Sequence, residues 1–319
     1  MFTLPSGQDY RPWRAGAKLM TFTRPSIMAI LNITPDSFSD GGRFSSAGTT
    51  GFDPDLDAIA SAAREALKDG AEILDVGGMS TRPGGDPIDE AEELRRVVPA
   101  VRRIVEETGA LVSVDTFRPN VASAALEAGA EAINDITAGR YVTSEERIAD
   151  ADETGFPEEM AAVVREHNAG VVLMHMGGNP WRSASEEPEY PLGVVEEVCR
   201  FLARRRDAFV AAGVDPERIM LDPGLGFGKT MKENWELVAG IETLQELGAP
   251  LLYAFSRKRF LRAEAESRGV TATTATLDAL TAQLCGLLAA RGVESLRVHD
   301  VKTTVIALAV AEKSVGVGL

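Results

Sequence analysis

Polar residues close a series of short apolar runs in this sequence, and their types suggest what they could bind. The run 27–32 ends in Asn32, 72–76 carries Asp75, 111–115 ends in Asp115, and 131–135 ends in Asn134 and Asp135. The run 170–175 ends in His175, 218–222 in Asp222, 250–255 leads into Ser256-Arg257-Lys258, and 295–299 carries Arg297 and His299. A single Asp after a strand caps the next helix well. Polar ends on all eight runs, several with bulky hydrogen-bonding heads, are hard to read as caps alone. Asp115, Asn134 and Asp222 suit a planar heterocycle with amino and ring N–H donors. A carboxylate meets an amino-pyrimidine edge with two parallel hydrogen bonds, each contributing ~1.5–3 kcal/mol. Lys258, Arg297 and His299 suit a phosphate-bearing group or a developing anion.

The stretch "DPGLGFGK" (222–229) imitates a phosphate loop. A phosphate loop needs Gly at the first position of GxxxxGK[ST], where Pro223 stands, and the dinucleotide fingerprint fails because the third Gly comes one residue early. The stretch therefore reads as a sharp turn after the sixth run, whose glycines let the backbone bend and a flat ligand approach. Asp222 is then the functional residue and Phe227 packs near a second ligand; an Asp-Pro-Gly turn with no ligand is the alternative. Lys229 reads as a surface or loop cation.

The elements that must position these residues follow from periodicity. Helix-period segments separate the runs. One is "LRRVVPAVRRIVEE", with Leu94, Val97, Val98, Val101, Ile104 and Val105 on one face and a cap from Asp89 and Glu92. Eight β–α units predict a single (β/α)8 TIM barrel over residues 26–319, with residues 1–25 as an N-terminal extension. A doubly wound sheet is the alternative, since strand count alone does not close a barrel. A barrel gathers its active site at the C-terminal strand ends, where the polar residues lie. The acidic segment 140–159 reads as an insertion, a solvated excursion with a short helix from a Thr143/Glu146 cap.

Composition bounds the function. The 319 residues carry 33 basic and 48 acidic side chains, net charge −15, with no basic stripe, which argues against nucleic acid as a partner. Arg204–Arg206 reads as a solvated helix face. Cys199 and Cys285 lie on apolar helical stripes and read as buried thiols. No apolar run reaches membrane-spanning length and the first twenty-five residues hold no apolar signal core, so a cytoplasmic enzyme is expected. His167 reads as a helix-end residue and Asp75 as an orienter of the second loop. His175 either lines the pocket or fills the barrel mouth, Met174 and Met176 fill core or pack on a flat ring, and Trp181 is either a lid or loop packing.

In order along the chain stand "ILNITPDSFSDGG", "DVGGMSTRPGG", "VSVDT", "INDI", "LMHM", "LDPGLGFGK", "SRK" and "RVHDVK". On these motifs the chain resembles the dihydropteroate synthases over about residues 26–315. The resemblance implies a TIM barrel that joins 6-hydroxymethyl-7,8-dihydropterin diphosphate to p-aminobenzoate, releasing diphosphate. It implies that Asp115, Asn134 and Asp222 hold the pterin, with Lys258 at its carbonyl side. Asn32 (through Mg²⁺), Arg297 and His299 would hold the diphosphate. Thr81 and Arg82 would close over the reacting centre, and Ser256 and Phe227 would help seat p-aminobenzoate. No Ser–His or Cys–His pairing motif occurs, in keeping with a reaction that needs no covalent enzyme intermediate. The chain departs from the family at Met79, where Glu is usual, at Ala254-Phe255, and in the segment after Lys258, which lacks the usual Gly. These departures bear on loop dynamics, acceptor affinity and sulfonamide response. The rival readings are a pterin-dependent methyltransferase, which has no use for a diphosphate site, and a non-catalytic pterin-binding paralogue. The family implies a homodimer through the last helices; the apolar stripe in "TTVIALAVA" (303–311) fits that or a barrel-facing surface equally.

Overall fold

The computed structural model describes residues 10–34, 45–46, 53–80, 88–145, 147–148, 159–177 and 189–316. Eight strands form one parallel sheet: β1 (Ser26–Asn32), β2 (Ile73–Gly77), β3 (Leu111–Asp115), β4 (Ala132–Asp135), β5 (Gly170–Met174), β6 (Ile219–Asp222), β7 (Leu252–Ala254) and β8 (Ser295–Val298). Their order is β6-β5-β4-β3-β2-β1-β8-β7. A parallel bridge between Leu221 and Leu251, with Leu221 N donating to Pro250 O at 2.9 Å, joins the two outer strands. The sheet therefore closes on itself, and the doubly wound alternative falls. The helices that wrap it are α1 (Leu56–Asp69), α2 (Glu90–Thr108), α3 (Pro119–Glu127), α4 (Glu159–Glu166), α5 (Val194–Ala211), α6 (Met231–Ala239), α7 (Ile241–Gln245), α8 (Arg259–Ser267), α9 (Thr274–Ala289) and α10 (Val301–Gly316). The expected cap of α2 is present: the Asp89 carboxylate accepts from Glu92 N at 2.8 Å.

Strand periodicity of two sorts the side chains. Ile27, Leu74, Val112, Ile133, Val171 and Leu296 face outward and share one buried core with the helices. Met28, Ile73, Leu111, Ala132, Val172, Met220 and Leu252 face inward and fill the barrel at its N-terminal end. Two residues further along each of several strands, the inward positions are Asp75, Ser113, Asn134, Asp222 and Arg297. The barrel is thus apolar at the bottom and polar at the top.

Part of the N-terminal extension completes this bottom layer. Trp13–Ala15 pairs antiparallel with Lys18–Met20, and Trp13 and Ala15 are fully buried among the lower inward residues. The Trp13 indole N–H donates to Arg218 O at 2.9 Å. Gly170 opens β5 because a Cβ there would stand 2.6 Å from the Trp13 ring. Residues 10–20 are therefore a plug with a sequence signal, a Trp among turn residues, that periodicity does not read.

The 140–159 excursion is anchored at its start by buried Arg140 and Tyr141, while Ser144 and Arg147 are exposed, as expected of a solvated excursion. Tyr141–Val142 pairs with Arg147–Ile148 across a 3-10 turn at Thr143–Glu145, and the buried Tyr141 ring packs 5.0 Å from Phe117. Arg205 also departs from its expected solvated face. It is buried and donates through Nε to Ala138 O at 2.7 Å, whereas its neighbour Arg204 is exposed. His167 does sit at a helix end, its Nε2 3.2 Å from Ser123 Oγ. Both cysteines are free and buried. None of the described helices is long and apolar enough to cross a membrane.

Candidate active site

The polar strand ends converge on the barrel's C-terminal mouth. At its centre lies Arg297 of β8, which reaches across to two carboxylates: Nε donates to Asp75 Oδ2 at 2.6 Å and a terminal nitrogen donates to Asp115 Oδ2 at 2.8 Å. The Asn134 amide donates to the same Asp75 oxygen at 3.1 Å. Asp75 therefore orients Asn134 and Arg297 in the pocket; residues 81–87 of the second loop, which it was expected to orient, lie outside the described residues. Burial alone would lower the Arg297 pKa; the paired carboxylates of Asp75 and Asp115 outweigh it and hold the guanidinium above its ordinary value. Burial pushes Asp115 up, and Arg297 pulls it back. Asp75 Oδ1 and Ser113 Oγ, at paired register positions, are buried and bond to no protein group, so the pocket floor keeps hydrogen-bonding capacity for a ligand. Gly77 leaves the flank open: a Cβ there would stand 3.4 Å from Asn32 Oδ1 and 3.8 Å from Asp115 Oδ2.

Asp222 and Lys258 form the opposite wall. Burial raises the Asp222 pKa, while Lys258, the Gly224 amide and Lys229 draw it down. Burial brings the Lys258 ammonium down to about 8 against the pull of Asp222. The Lys258 Nζ donates to Leu225 O and lies 4.6 Å from the centroid of the Phe227 ring, a cation–π contact. Beside them the Ser256 hydroxyl lies 2.9 Å from His299 Nδ1 and accepts from the His299 amide at 3.2 Å.

The glycine-rich turn is built for close approach, not for phosphate. A Cβ on Gly224 (φ +69°) would stand 1.9 Å from His175 O, and one on Gly228 (φ +60°) 2.5 Å from Gly177. The Asp222 carboxylate accepts from Gly224 N at 2.7 Å, so it caps the turn as well as facing the pocket. Lys229 is not the surface cation that its sequence context suggests. It is buried, and its Nζ meets Gly224 O at 2.8 Å, Phe227 O at 3.0 Å, His175 O at 3.2 Å and His175 Nδ1 at 3.0 Å. The lysine that would grip a phosphate in a P-loop here clasps the turn's own carbonyls. His175 shares the outward parity of Val171 and Leu173: burial first, then Lys229 and Arg140, hold its pKa well below the ordinary value, and its ring stands edge-on to Phe201 at 4.9 Å.

Of the residues expected at the site, Asp115, Asn134, Asp222, Lys258, Arg297, Ser256, His299, Phe227 and Asn32 lie at this mouth. Thr81, Arg82 and Trp181 lie outside the described residues. Met79 is buried in an apolar cluster with Phe117, Ile136, Tyr141, Met174 and Met176, a setting in which a glutamate would be desolvated. Phe255 faces the helices in the outer core, away from the mouth; only Ala254 is on the inner face. Sequence reading missed the buried charges that hold the stems of the segment 81–87. Arg96 donates to Gly78 O at 3.0 Å before it, and Arg118, paired with buried Glu93, donates to Ile88 O at 2.7 Å after it. A signal existed: Glu93 and Arg96 sit on the buried stripe of α2 with Val97 and Ala100.

The closed barrel carries carboxylates and an amide facing a lysine at its mouth, and residues 28–299 match the family model described as "Pterin binding enzyme", which gives the chain its class. The dihydropteroate synthase of Streptococcus pyogenes serotype M6 is 38% identical over 277 residues, covering 87% of this chain and 91% of that one. The Xanthomonas albilineans dihydropteroate synthase solved with 4-aminobenzoic acid is 38% identical, with TM-score 0.78, covering 96% of this chain and 99% of that one. The same enzyme in complex with 7,8-dihydropteroate aligns with TM-score 0.75 at 35% identity, covering 97% and 100%. The chain belongs to the dihydropteroate synthase family, and it is an enzyme of the transferase class.

Proposed function

We propose that this chain joins 6-hydroxymethyl-7,8-dihydropterin diphosphate to p-aminobenzoate at the mouth described above. The observation that carries the residue assignment is the convergence of Asp115, Asn134 and Asp222 with Lys258 and Arg297 at one barrel mouth. Asp115 and Asp222 accept from the amino and ring N–H groups of the pterin, and Asn134 is held by Asp75 to complete that edge. Lys258, cationic below about pH 8, donates to the ring carbonyl. The bond between carbon and the diphosphate oxygen breaks at a carbon next to an electron-rich ring, through a cation-like state. The enzyme's task is then to receive the departing charge rather than to supply a strong base. Arg297 and His299 neutralise that charge. The acceptor's neutral amine attacks while Phe227 and Ser256 position its ring.

Asn32 offers one neutral oxygen beside Asp115, which fits Mg²⁺, an ion that takes few protein ligands and keeps water and substrate phosphate oxygens. When bound, Mg²⁺ neutralises the leaving diphosphate. Among the described residues no group of three His, Cys, Asp or Glu side chains could hold a metal ion.

A homodimer is supported by Leu287 of α9 and Ile306 and Val310 of α10, each about 60% exposed on neighbouring helices. The stripe at 303–311 thus splits: Thr304 and Leu308 are buried, and Ile306 and Val310 face out. Buried free thiols and phosphorylated substrates suit the cytoplasm. Calorimetric titration with 6-hydroxymethyl-7,8-dihydropterin, followed by a turnover assay, tests the assignment. Pterin binding without turnover would favour the non-catalytic paralogue.

A further inference from the structure

Ser256 and Lys258 face the mouth from either side of a residue whose backbone is unusual. Lys258 N donates to Phe255 O at 3.1 Å, closing a four-residue turn, and Arg257 at its third position has φ +60°. Turns that place φ in the left-handed region at this position take Gly or Asn, because a Cβ is crowded there. Here an arginine occupies it. Its guanidinium forms two parallel bonds to one carboxylate of α9, Nε to Asp278 Oδ1 at 2.6 Å and a terminal nitrogen to Asp278 Oδ2 at 3.0 Å. The two side chains are only 14% and 12% exposed, so the pair is largely shielded from water. The same helix holds the turn a second time: the Arg257 amide donates to Thr281 Oγ1 at 3.3 Å, and Thr281 is itself buried.

We infer that the Arg257–Asp278 pair is a positioning device for the reaction, holding the left-handed turn that aims Ser256 and Lys258 into the mouth. The inference rests on the roles proposed above for those two residues. Neither Arg257 nor Asp278 faces the mouth; both act through the turn. The turn, not the strand, sends the Arg257 side chain to Asp278 of α9 between Ser256 and Lys258, and the chain must enter α8 directly after Lys258, its N-cap. If the turn relaxed to negative φ, the Lys258 Nζ would leave Leu225 O and the Phe227 ring, and the Ser256 hydroxyl would leave His299 Nδ1. The fixed fork of Asp278 makes the strained conformation the stable one.

The test separates backbone geometry from general stability. Asp278→Ala should lower kcat/KM for p-aminobenzoate about ten-fold, with Mg²⁺ and saturating dihydropterin diphosphate, and Arg257→Ala should do the same. Arg257→Gly, which adopts φ +60° without a Cβ penalty, should retain most activity. In the double variant Arg257→Gly/Asp278→Ala, Gly should restore activity to within about two-fold of the parent, while the melting temperature stays lowered because the ion pair is gone. Activity that stays low in the double variant, or that follows melting temperature through the series, would overturn the inference, leaving an ordinary stabilising ion pair. Where Asp278→Ala does not fold, Asp278→Asn replaces it, with the same rescue expected. Lys258→Ala serves as control. Full activity there would overturn the site assignment itself, whereas its loss beside an active Asp278→Ala would overturn only this inference.

Discussion

Asp222→Asn tests the pterin-binding assignment with the least collateral change. The amide keeps an oxygen that can accept from Gly224 N, at 2.7 Å in the parent, so the turn stays capped. What disappears is the negative charge and one acceptor facing the pterin's donors, with an N–H group in its place. Hydrogen bonds to a charged group contribute about 1.5–3 kcal/mol each, against about 1 kcal/mol for neutral ones. Losing the charge from two such bonds costs about 1–4 kcal/mol, which at about 1.4 kcal/mol per decade is roughly a 5- to 700-fold rise in Kd. The assay is calorimetric titration with 6-hydroxymethyl-7,8-dihydropterin, which lacks the diphosphate and so reports the ring contacts alone. The substitution should also move a pH profile. Burial holds Lys258 down to about 8 and the Asp222 charge draws it up. Without that charge Lys258 loses its proton at lower pH, so the alkaline fall in kcat/KM begins nearer neutrality. A Kd within three-fold of the parent, or an alkaline limb that does not move, would refute the reasoning.

Other perturbations have equally definite outcomes. Gly224→Ala places a Cβ 1.9 Å from His175 O at φ +69° and should abolish activity by displacing the turn; wild-type kinetics would show the contact to be dispensable. Arg297→Ala leaves Asp75 and Asp115 without their partner and should cost about 3–5 kcal/mol of stability as well as turnover, checked by denaturant unfolding. A variant of unchanged stability would mean that the pair is worth nothing in the ligand-free protein. Trp13→Ala opens the plug at the barrel's far end and should cost about 3–5 kcal/mol while leaving kcat within two-fold, a split read by thermal melting beside steady-state kinetics.

Much of this molecule was legible because strand alternation and polar strand ends are local signals. All eight runs became barrel strands, and the inward parity of Asp115, Asn134, Asp222 and Arg297 follows from a period of two. What stayed hidden depends on where a turn aims a side chain. Lys229 looks like any loop cation in sequence, yet three glycines with positive φ bring four acceptors around its Nζ. Arg205 and Arg204 are adjacent in a basic run, and only helix phase sends one into the core. Arg297 was assigned to an anion from its type, but its partners Asp75 and Asp115 lie 222 and 182 residues away, a separation no local pattern reports. The plug at Trp13 and the anchored Tyr141 were hidden for the same reason, since each is a short polar-looking stretch made structural by a distant surface.

The most direct test of the account is diphosphate release by the purified protein with dihydropterin diphosphate and Mg²⁺, with and without p-aminobenzoate. The account predicts release that depends on p-aminobenzoate, with 7,8-dihydropteroate appearing in step. No release despite tight pterin binding would contradict it.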